Sequence, residues 1–357
     1  MKSDDADYMR VALQLARKGW GQTAPNPMVG AVVVRDGAVV GEGFHARFGE
    51  AHAEVVALRE AGERAKGATL YVSLEPCRHF GKTPPCTDAI RAAGIARVVA
   101  AIADPGAQSG GGATVLREAG IDVTMGVLEA ESRELNAPFF HAAVSDMPWT
   151  TLKLAVSMEV AISDRRGSTS HLTGPDTRAE VHRLRAGNDA IAVGVGTILA
   201  DDPQLTVRDA RPPRVPLRRV VFDRHLRTPP TAAVVRTATQ TPTTIVTLTT
   251  SSSHAKPLRA AGVHLLSAPD LASGFRKLRA EGVRSLLVEG GAALASAVLE
   301  AKLAHRLTIF QAPVTLGPKA LHAFENLPDA MLGELERLPV LERRAFGQDV
   351  MTTFALD

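Results

Sequence analysis

AHAEVVALREAG (residues 51–62) and ATLYVSLEPCRHFGKTPPCTDAI (68–90) decide how the chain is read. The first has apolar residues at helical spacing and reads as a helix over 51–65, ending near Gly67. The second begins as a β-rich run and breaks into a loop at Glu75-Pro76-Cys77. It then enters a helix at TDAIRAAG (87–94). His52 and Glu54 therefore open one helix, while Cys77 and Cys86 bracket the loop RHFGKTPPC that follows a strand.

Working outward, DYMRVALQLARK (7–18) reads as an amphipathic helix and TAPNP (23–27) as a loop. VGAVVVRDGAVVGEGFH (29–45) is two β-rich runs joined at Asp36-Gly37, a hairpin signal. ARVVAAIAD (96–104) is a strand, VLREAG (115–120) a helix and IDVTMGV (121–127) a strand. Strands alternating with helices predict a three-layer α/β domain. The pattern restarts after the turn cluster SDMP (145–148). TLKLAVSM, DAIAVGVG, RRVVFD, TTIVTLTT, RSLLVEGG and RLTIFQAPV are strands there, and PDTRAEVHRLRAG and GAALASAVLEAKL are helices. The Thr-, Ser- and Pro-rich stretch 228–257 is given one strand between loops. No internal repeat is present, so two unlike α/β units, 1–146 and 147–357, point to a fusion of two enzymes.

Composition bounds the function. Of 357 residues, 45% are hydrophobic and 22% charged, as in ordinary globular proteins, and the net charge of +3 gives no footprint for nucleic acid or membrane. The start, MKSDDADYMRVALQLARKGW, has acidic residues and no apolar signal region, so the expected compartment is the cytoplasm. Two cysteines in so long a chain do not make a disulfide framework. As metal ligands they make sense together with His52. A catalytic zinc takes three protein ligands and keeps one position for water, whose pKa falls to about 7. Glu54, two residues beyond His52, reaches the same pocket and can shuttle protons. The order H-A-E then P-C matches the zinc deaminase signature H-x-E…P-C-x-x-C, with eight residues between the cysteines instead of two.

TAPNPMVGAVVV, GEGFH, AHAEVVALREAG, the 68–90 segment and IARVVAAIADP together resemble the bifunctional riboflavin-biosynthesis deaminase–reductase family. The loop ending Thr83-Pro84-Pro85-Cys86 is characteristic of it. TLKLAVS, LTGPDTRAEVHRLRA, GVGTILADDPQLTVR, RRVVFD and LLVEGGAAL resemble its reductase half, so the likeness runs from about Asp7 to Leu316. The resemblance implies a cytidine-deaminase-like three-layer α/β domain followed by a dihydrofolate-reductase-like α/β domain. It implies hydrolytic deamination of 2,5-diamino-6-ribosylamino-4(3H)-pyrimidinone 5′-phosphate. Reduction of the ribosyl group of the resulting aminouracil by NADPH would follow.

Carried over by resemblance, His52, Cys77 and Cys86 are the Zn²⁺ ligands and Glu54 the proton shuttle. Asn26 falls at a substrate position, with Lys82 and Thr83 as further phosphate candidates. Ala155, His171, Thr197 and Asp201 fall at NADPH positions. So do Gly291, Ala292, Ala293, Leu294, Ala295, Ser296 and Ala297, the cofactor-phosphate loop. Thr169, Arg185, Leu205, Arg208 and Glu289 fall at substrate positions, with Arg185 and Arg208 suited to the substrate phosphate. The partners implied are small phosphorylated pyrimidine nucleotides, with no nucleic acid and no membrane, and a homo-oligomer stays open.

The chain departs from the family in four places. Glu159-Val160 replace Asp-Gly, and His171 replaces Trp. His305-Arg306 replace an Asp-Glu pair, and GAQSGGG (106–112) replaces an Asn-Pro-rich loop. The first three predict a less efficient reductase, with weaker NADPH binding from His171 and Val160, and the last predicts a looser wall of the deaminase pocket. Two other readings stay open on the residues alone. One is a different zinc deaminase, acting on cytidine, guanine or a tRNA adenosine. The other is an active deaminase joined to an impaired or non-catalytic reductase domain.

Overall fold

The structure, a computed structural model, describes residues 3–168, 170–324, 327–335 and 337–356. The chain divides into two compact units, Met1–Val144 and Ser145–Asp357. No described helix is long and apolar enough to cross a membrane.

In the first unit the elements run α1 (Ser3–Arg17), β1 (Gly30–Arg35), β2 (Ala38–Phe44), α2 (Ala53–Ala61), β3 (Thr69–Val72) and α3 (Cys86–Ala92). They continue with β4 (Arg97–Ala100), α4 (Gly112–Glu118), β5 (Asp122–Met125), α5 (Glu129–Leu135) and α6 (Ala137–Val144). The sheet order is β2-β1-β3-β4-β5, with β1 antiparallel to β2 and β3, and β3, β4 and β5 parallel. Asp36 and Gly37 both take positive φ, 51° and 79°, as a two-residue hairpin turn requires. Alternation along β1 builds the layers. Ala31 and Val33 join the core beneath α2 and α3, while Val32 and Val34 join the core beneath α1 with Met9, Ala12 and Leu13.

In the second unit, β6 (Trp149–Val156), β7 (Ala161–Ser163), α7 (Pro175–Ala186), β8 (Ala190–Gly194), α8 (Val195–Asp201) and β9 (Arg218–Phe222) come first. Next are α9 (Ala233–Arg236), β10 (Thr243–Thr247), α10 (Ala255–Ala260), β11 (His264–Ser267), α11 (Leu271–Ala280), β12 (Ser285–Glu289) and α12 (Ala292–Glu300). The unit closes with β13 (Arg306–Gln311), β14 (Leu321–His322), α13 (Asp329–Leu335), β15 (Val340–Phe346) and β16 (Asp349–Ala355). The large sheet has the order β11-β10-β9-β8-β12-β6-β13-β16-β15, parallel until β16 and β15 add an antiparallel edge. Its central strands are apolar on both sides because helices cover both faces. Leu152, Leu154, Leu286 and Val288 pack with α11 and α12, whereas Ile191, Val193, Val221 and Ile245 pack with α8, α9 and α10.

Several elements differ from the sequence reading. DAIAVGVG is not one strand: Gly194 has extended backbone, ψ 156°, and the chain turns there into α8. The 228–257 stretch holds β10 and also the short helices α9 and α10. The β15–β16 hairpin carried no alternation signal, because every residue of β15 except Phe346 is exposed and Glu342, Arg343 and Arg344 line it, as suits an edge strand.

Val160 sits at φ 62° in the turn between β6 and β7, where its N–H bonds the Ser157 carbonyl at 3.1 Å. A β-branched residue is strained in the left-handed region, and glycine is not. Val160→Gly is expected to stabilise the second unit by about 1 kcal/mol, the low end of the cost of such a residue, read from chemical denaturation midpoints. A loss of stability would show that the Val160 side chain, which packs against the core, contributes more than its backbone strain costs.

Candidate active sites

In the first unit two close backbone approaches set the donors. A Cβ on Gly43 would lie 2.3 Å from the Ala53 carbonyl oxygen, so α2 rests directly on β2. One on Gly112 would lie 1.8 Å from the Pro76 carbonyl oxygen, so the start of α4 presses on the loop carrying Cys77. Glu75 fixes the same corner, since its carboxylate accepts the Ala113 N–H at 2.9 Å and the Asp104 N–H at 3.1 Å. His52 is the N-cap of α2 and Cys86 the first residue of α3.

The donor atoms of His52, Cys77 and Cys86 all lie within 4.8 Å of one another. His52 Nδ1 is 3.2 Å from Cys86 Sγ and 3.5 Å from Cys77 Sγ. Zinc–nitrogen and zinc–sulfur bonds of ~2.0 and ~2.3 Å at a tetrahedral angle give an N–S edge of ~3.6 Å, so the three groups fit that ion. One imidazole and two thiols, with no fourth protein ligand in the cluster among the described residues, is the donor set of a catalytic site. The Cys86 thiol, its backbone N–H and His52 hold Cys77 down as a thiolate, and as the donor Cys86 is pushed up. The hydrogen bond to Cys77 raises His52.

Further contacts orient the imidazoles. His52 Nε2 lies 3.3 Å from Thr83 Oγ1, which gives Thr83 a role in holding the ligand ring. His45 Nδ1 lies 3.2 Å from the Ala51 carbonyl, which can only accept, so its Nε2 is the acceptor facing Asn26 Nδ2 at 3.2 Å. Burial lowers His45, keeping it neutral. Glu54 is 3% exposed, and its burial raises it well above the usual carboxylate range. These groups line a cavity of about 260 Å³ together with His79, Lys82, Asp104 and Ser109. Lys82 Nζ stands 4.2 Å above the Phe48 ring. Sequence reasoning had missed His45, Asp104 and Ser109, which have no motif of their own. The GAQSGGG departure forms this wall: Asp104 Oδ1 accepts the Gly106 N–H at 2.8 Å.

In the second unit an ion cluster lies where β6, β12 and α7 meet. Arg185 grips Glu289 through two bonds, Nε–Oε1 2.6 Å and Nη2–Oε2 2.9 Å, and Lys153 Nζ is 3.7 Å from Glu289 Oε2. Burial pushes Glu289 up, but the Arg185 and Lys153 charges outweigh it and hold the carboxyl at about 2. Burial lowers Lys153, a residue absent from the sequence prediction because one lysine in an apolar strand carries no motif. Arg208 is exposed and bonds Gln204 Oε1 at 2.9 Å.

The cofactor-phosphate segment is divided. Gly291 caps α12, and its Cα faces Thr197, whose Oγ1 would stand 3.7 Å from an added Cβ. Ala292, Leu294, Ala295 and Ser296 are buried in α12, while Ala293 and Ala297 are not. Ala155 is half-buried on β6, and Asp201 and His171 are exposed. Thr169 lies outside the described residues.

Two departures have structural explanations. Glu159 accepts the Leu316 and Gly317 N–H groups, which hold its carboxyl at about 2, Leu316 first. His305 stacks on Trp149, centroids 4.5 Å apart, and Arg306 lies over the same indole at 4.7 Å. Both flank the first residues of β6 and β13, whereas a parallel sheet binds ligands at the carboxyl ends of its strands.

Residues 2–102 match the cytidine and deoxycytidylate deaminase zinc-binding region, and residues 148–351 match the RibD C-terminal domain. The riboflavin biosynthesis protein RibD of Aquifex aeolicus is 44% identical over 316 residues, covering 88% of each chain. That of Escherichia coli is 42% identical over 349 residues, covering 91% of this chain and 94% of its own. The solved structure of Acinetobacter baumannii RibD, 35% identical, superposes with a TM-score of 0.84 and covers 98% of both chains. That of a Thermotoga maritima diaminohydroxyphosphoribosylaminopyrimidine deaminase/5-amino-6-(5-phosphoribosylamino)uracil reductase, 33% identical, does so equally. The first unit therefore has the cytidine-deaminase-like fold and the second the dihydrofolate-reductase-like fold.

Metal analysis of the purified chain is expected to give about one zinc per chain, and Cys77→Ser or Cys86→Ser should each lose most of it. Full occupancy in both variants would remove these cysteines from the ligand set.

Proposed function

This chain belongs to the RibD family of bifunctional riboflavin-biosynthesis enzymes, and we propose how its residues divide the work. It is a zinc-dependent deaminase and an NADPH-dependent reductase. The first unit deaminates 2,5-diamino-6-ribosylamino-4(3H)-pyrimidinone 5′-phosphate. The second reduces 5-amino-6-(5-phosphoribosylamino)uracil to the ribitylamino product.

The observation that carries the first assignment is a buried carboxyl beside three convergent soft donors. His52, Cys77 and Cys86 hold Zn²⁺, which when bound supplies a water acidified to a pKa of about 7. Glu54 holds and moves the proton. Its carboxylate takes a proton from water and gives it to the ring nitrogen, then carries the remaining proton of the added hydroxyl to the departing amine, so that carbonyl and ammonia are left. Asn26 orients the pyrimidine from the opposite wall, with its amide steadied by His45. Lys82, on the loop between the cysteines, faces the substrate phosphate.

In the second unit Arg208 takes the substrate phosphate from its exposed position, with Arg185, Glu289 and Leu205 shaping the pocket. Thr197, Ala155 and Asp201 would hold NADPH, and the Gly291 end of α12, where backbone N–H groups and the helix dipole favour anions, would take its phosphate. NADPH supplies the hydride. Lys153, a half-buried ammonium with a carboxylate partner, is the group that can hold a proton beside the reduced sugar carbon. The two thiols and the small net charge suit a cytoplasmic enzyme with small-molecule partners.

Glu54→Gln is expected to keep zinc yet lose deamination by at least ~10²-fold, while reduction of supplied aminouracil substrate by NADPH continues at the wild-type rate. Near-normal ammonia release would withdraw the role given to Glu54. Arg208→Ala should raise the reductase KM by roughly tenfold, the scale of a charged hydrogen bond, with NADPH affinity changed far less. Equal losses for both ligands would mean a damaged fold.

A further inference from the structure

Residues 204–208 lie in the 202–217 connection between α8 and β9 and carry Leu205 and Arg208. Leu205 has φ 51° although it is not glycine, and its side chain is 4% exposed in the core. A left-handed leucine does not hold itself in place, so its neighbours must impose the shape. Three basic side chains do so. Arg219, fully buried, donates to five neutral acceptors: Thr243 Oγ1, Thr237 Oγ1 and the carbonyls of Val234, Thr241 and Gln204. Arg185 Nη1 donates to the Thr206 carbonyl at 3.0 Å. His182 Nδ1, 3.2 Å away, accepts the Arg208 backbone N–H.

His182 and Arg185 are three residues apart on α7 and share a face. That face meets both ends of the segment's second half and, through Arg185, the Glu289 cluster. Because Nδ1 accepts from a peptide N–H, the ring is the neutral tautomer with its proton on Nε2. The residue is buried, 7% exposed. Burial and the nearby Arg185 and Arg208 charges lower its pKa, with Glu289 and the Thr206 backbone acting in the opposite sense.

We infer that His182 is a positioning residue of the reductase: by accepting the Arg208 N–H it fixes the backbone from which the Arg208 guanidinium reaches the substrate. This rests on the assignment of Arg208 to the substrate phosphate. The imidazole itself touches no reacting atom in this scheme. Its effect passes through the backbone of residues 206–208, which is why the loss should appear in substrate affinity and not in hydride transfer or cofactor affinity.

The test uses the full chain and the deaminated substrate, with His182→Phe, His182→Asn and Arg208→Ala compared in steady-state kinetics, NADPH titration and thermal melting. His182→Phe removes the acceptor and should raise KM about tenfold while kcat stays within about threefold. NADPH affinity, melting temperature and ammonia release from the other unit should stay near wild type. His182→Asn can put Oδ1 where Nδ1 stood and should restore KM to within about threefold of wild type. An unchanged KM in His182→Phe alongside a raised KM in Arg208→Ala overturns the inference alone. An unchanged KM in Arg208→Ala overturns the phosphate assignment and the inference with it. A joint fall of kcat, NADPH affinity and melting temperature in His182→Phe, unrelieved in His182→Asn, makes His182 merely structural and overturns it as well.

Discussion

Backbone contact at two glycines holds the first active site together. Gly43 lets α2 lie on β2, and Gly112 lets α4 lie on Pro76. Neither approach leaves room for a methyl group. These contacts bring the start of α2 and the loop after β3 close enough for one imidazole and two sulfurs to converge within 4.8 Å. A metal gains most from ligands already in place, because ordering them on binding would cost conformational entropy. Glu75, Thr83 and the Ala51 carbonyl fix the next layer of side chains by hydrogen bonds. The proton-shuttle role proposed for Glu54 calls for a dry carboxyl, and its burial supplies that.

The second unit solves a different problem. It must keep several cations near an anionic substrate without letting them repel one another out of the interior. Glu289 compensates Arg185 and Lys153, and the exposed Arg208 stays outside the buried cluster. A buried ion pair is weak evidence for stability but good evidence of a fixed geometry. Arg219 shows the other way to bury a guanidinium. Every N–H finds a neutral acceptor, so the charge remains although burial lowers its pKa to about 10.

The departures from the family pattern look alike in sequence and separate in three dimensions. Val160 occupies a left-handed turn that glycine would fill without strain, and its neighbour Glu159 binds two N–H groups of the loop after β13. His305 and Arg306 form a stack on Trp149 at the amino ends of the strands. His171 lies exposed on the approach to α7. Substitution alone could not say which of these faced a ligand, because distance from the carboxyl ends of the strands is a property of the sheet.

The amino-acid sequence by itself determined the two α/β units, the hairpin at Asp36-Gly37 and the identities of His52, Glu54, Cys77 and Cys86. Local periodicity, turn chemistry and a motif with rare residue types carry that information over short spans. Only the tertiary structure decided the rest. The β15–β16 edge, the turn into α8, and the surroundings of His45, Asp104, Lys153 and His182 all depend on partners far apart in the chain. His182 meets Arg208 across 26 residues, and Arg185 meets Glu289 across 104. A lone histidine or lysine leaves no periodic trace, because its meaning comes from the dielectric and the hydrogen-bond partners that folding places around it.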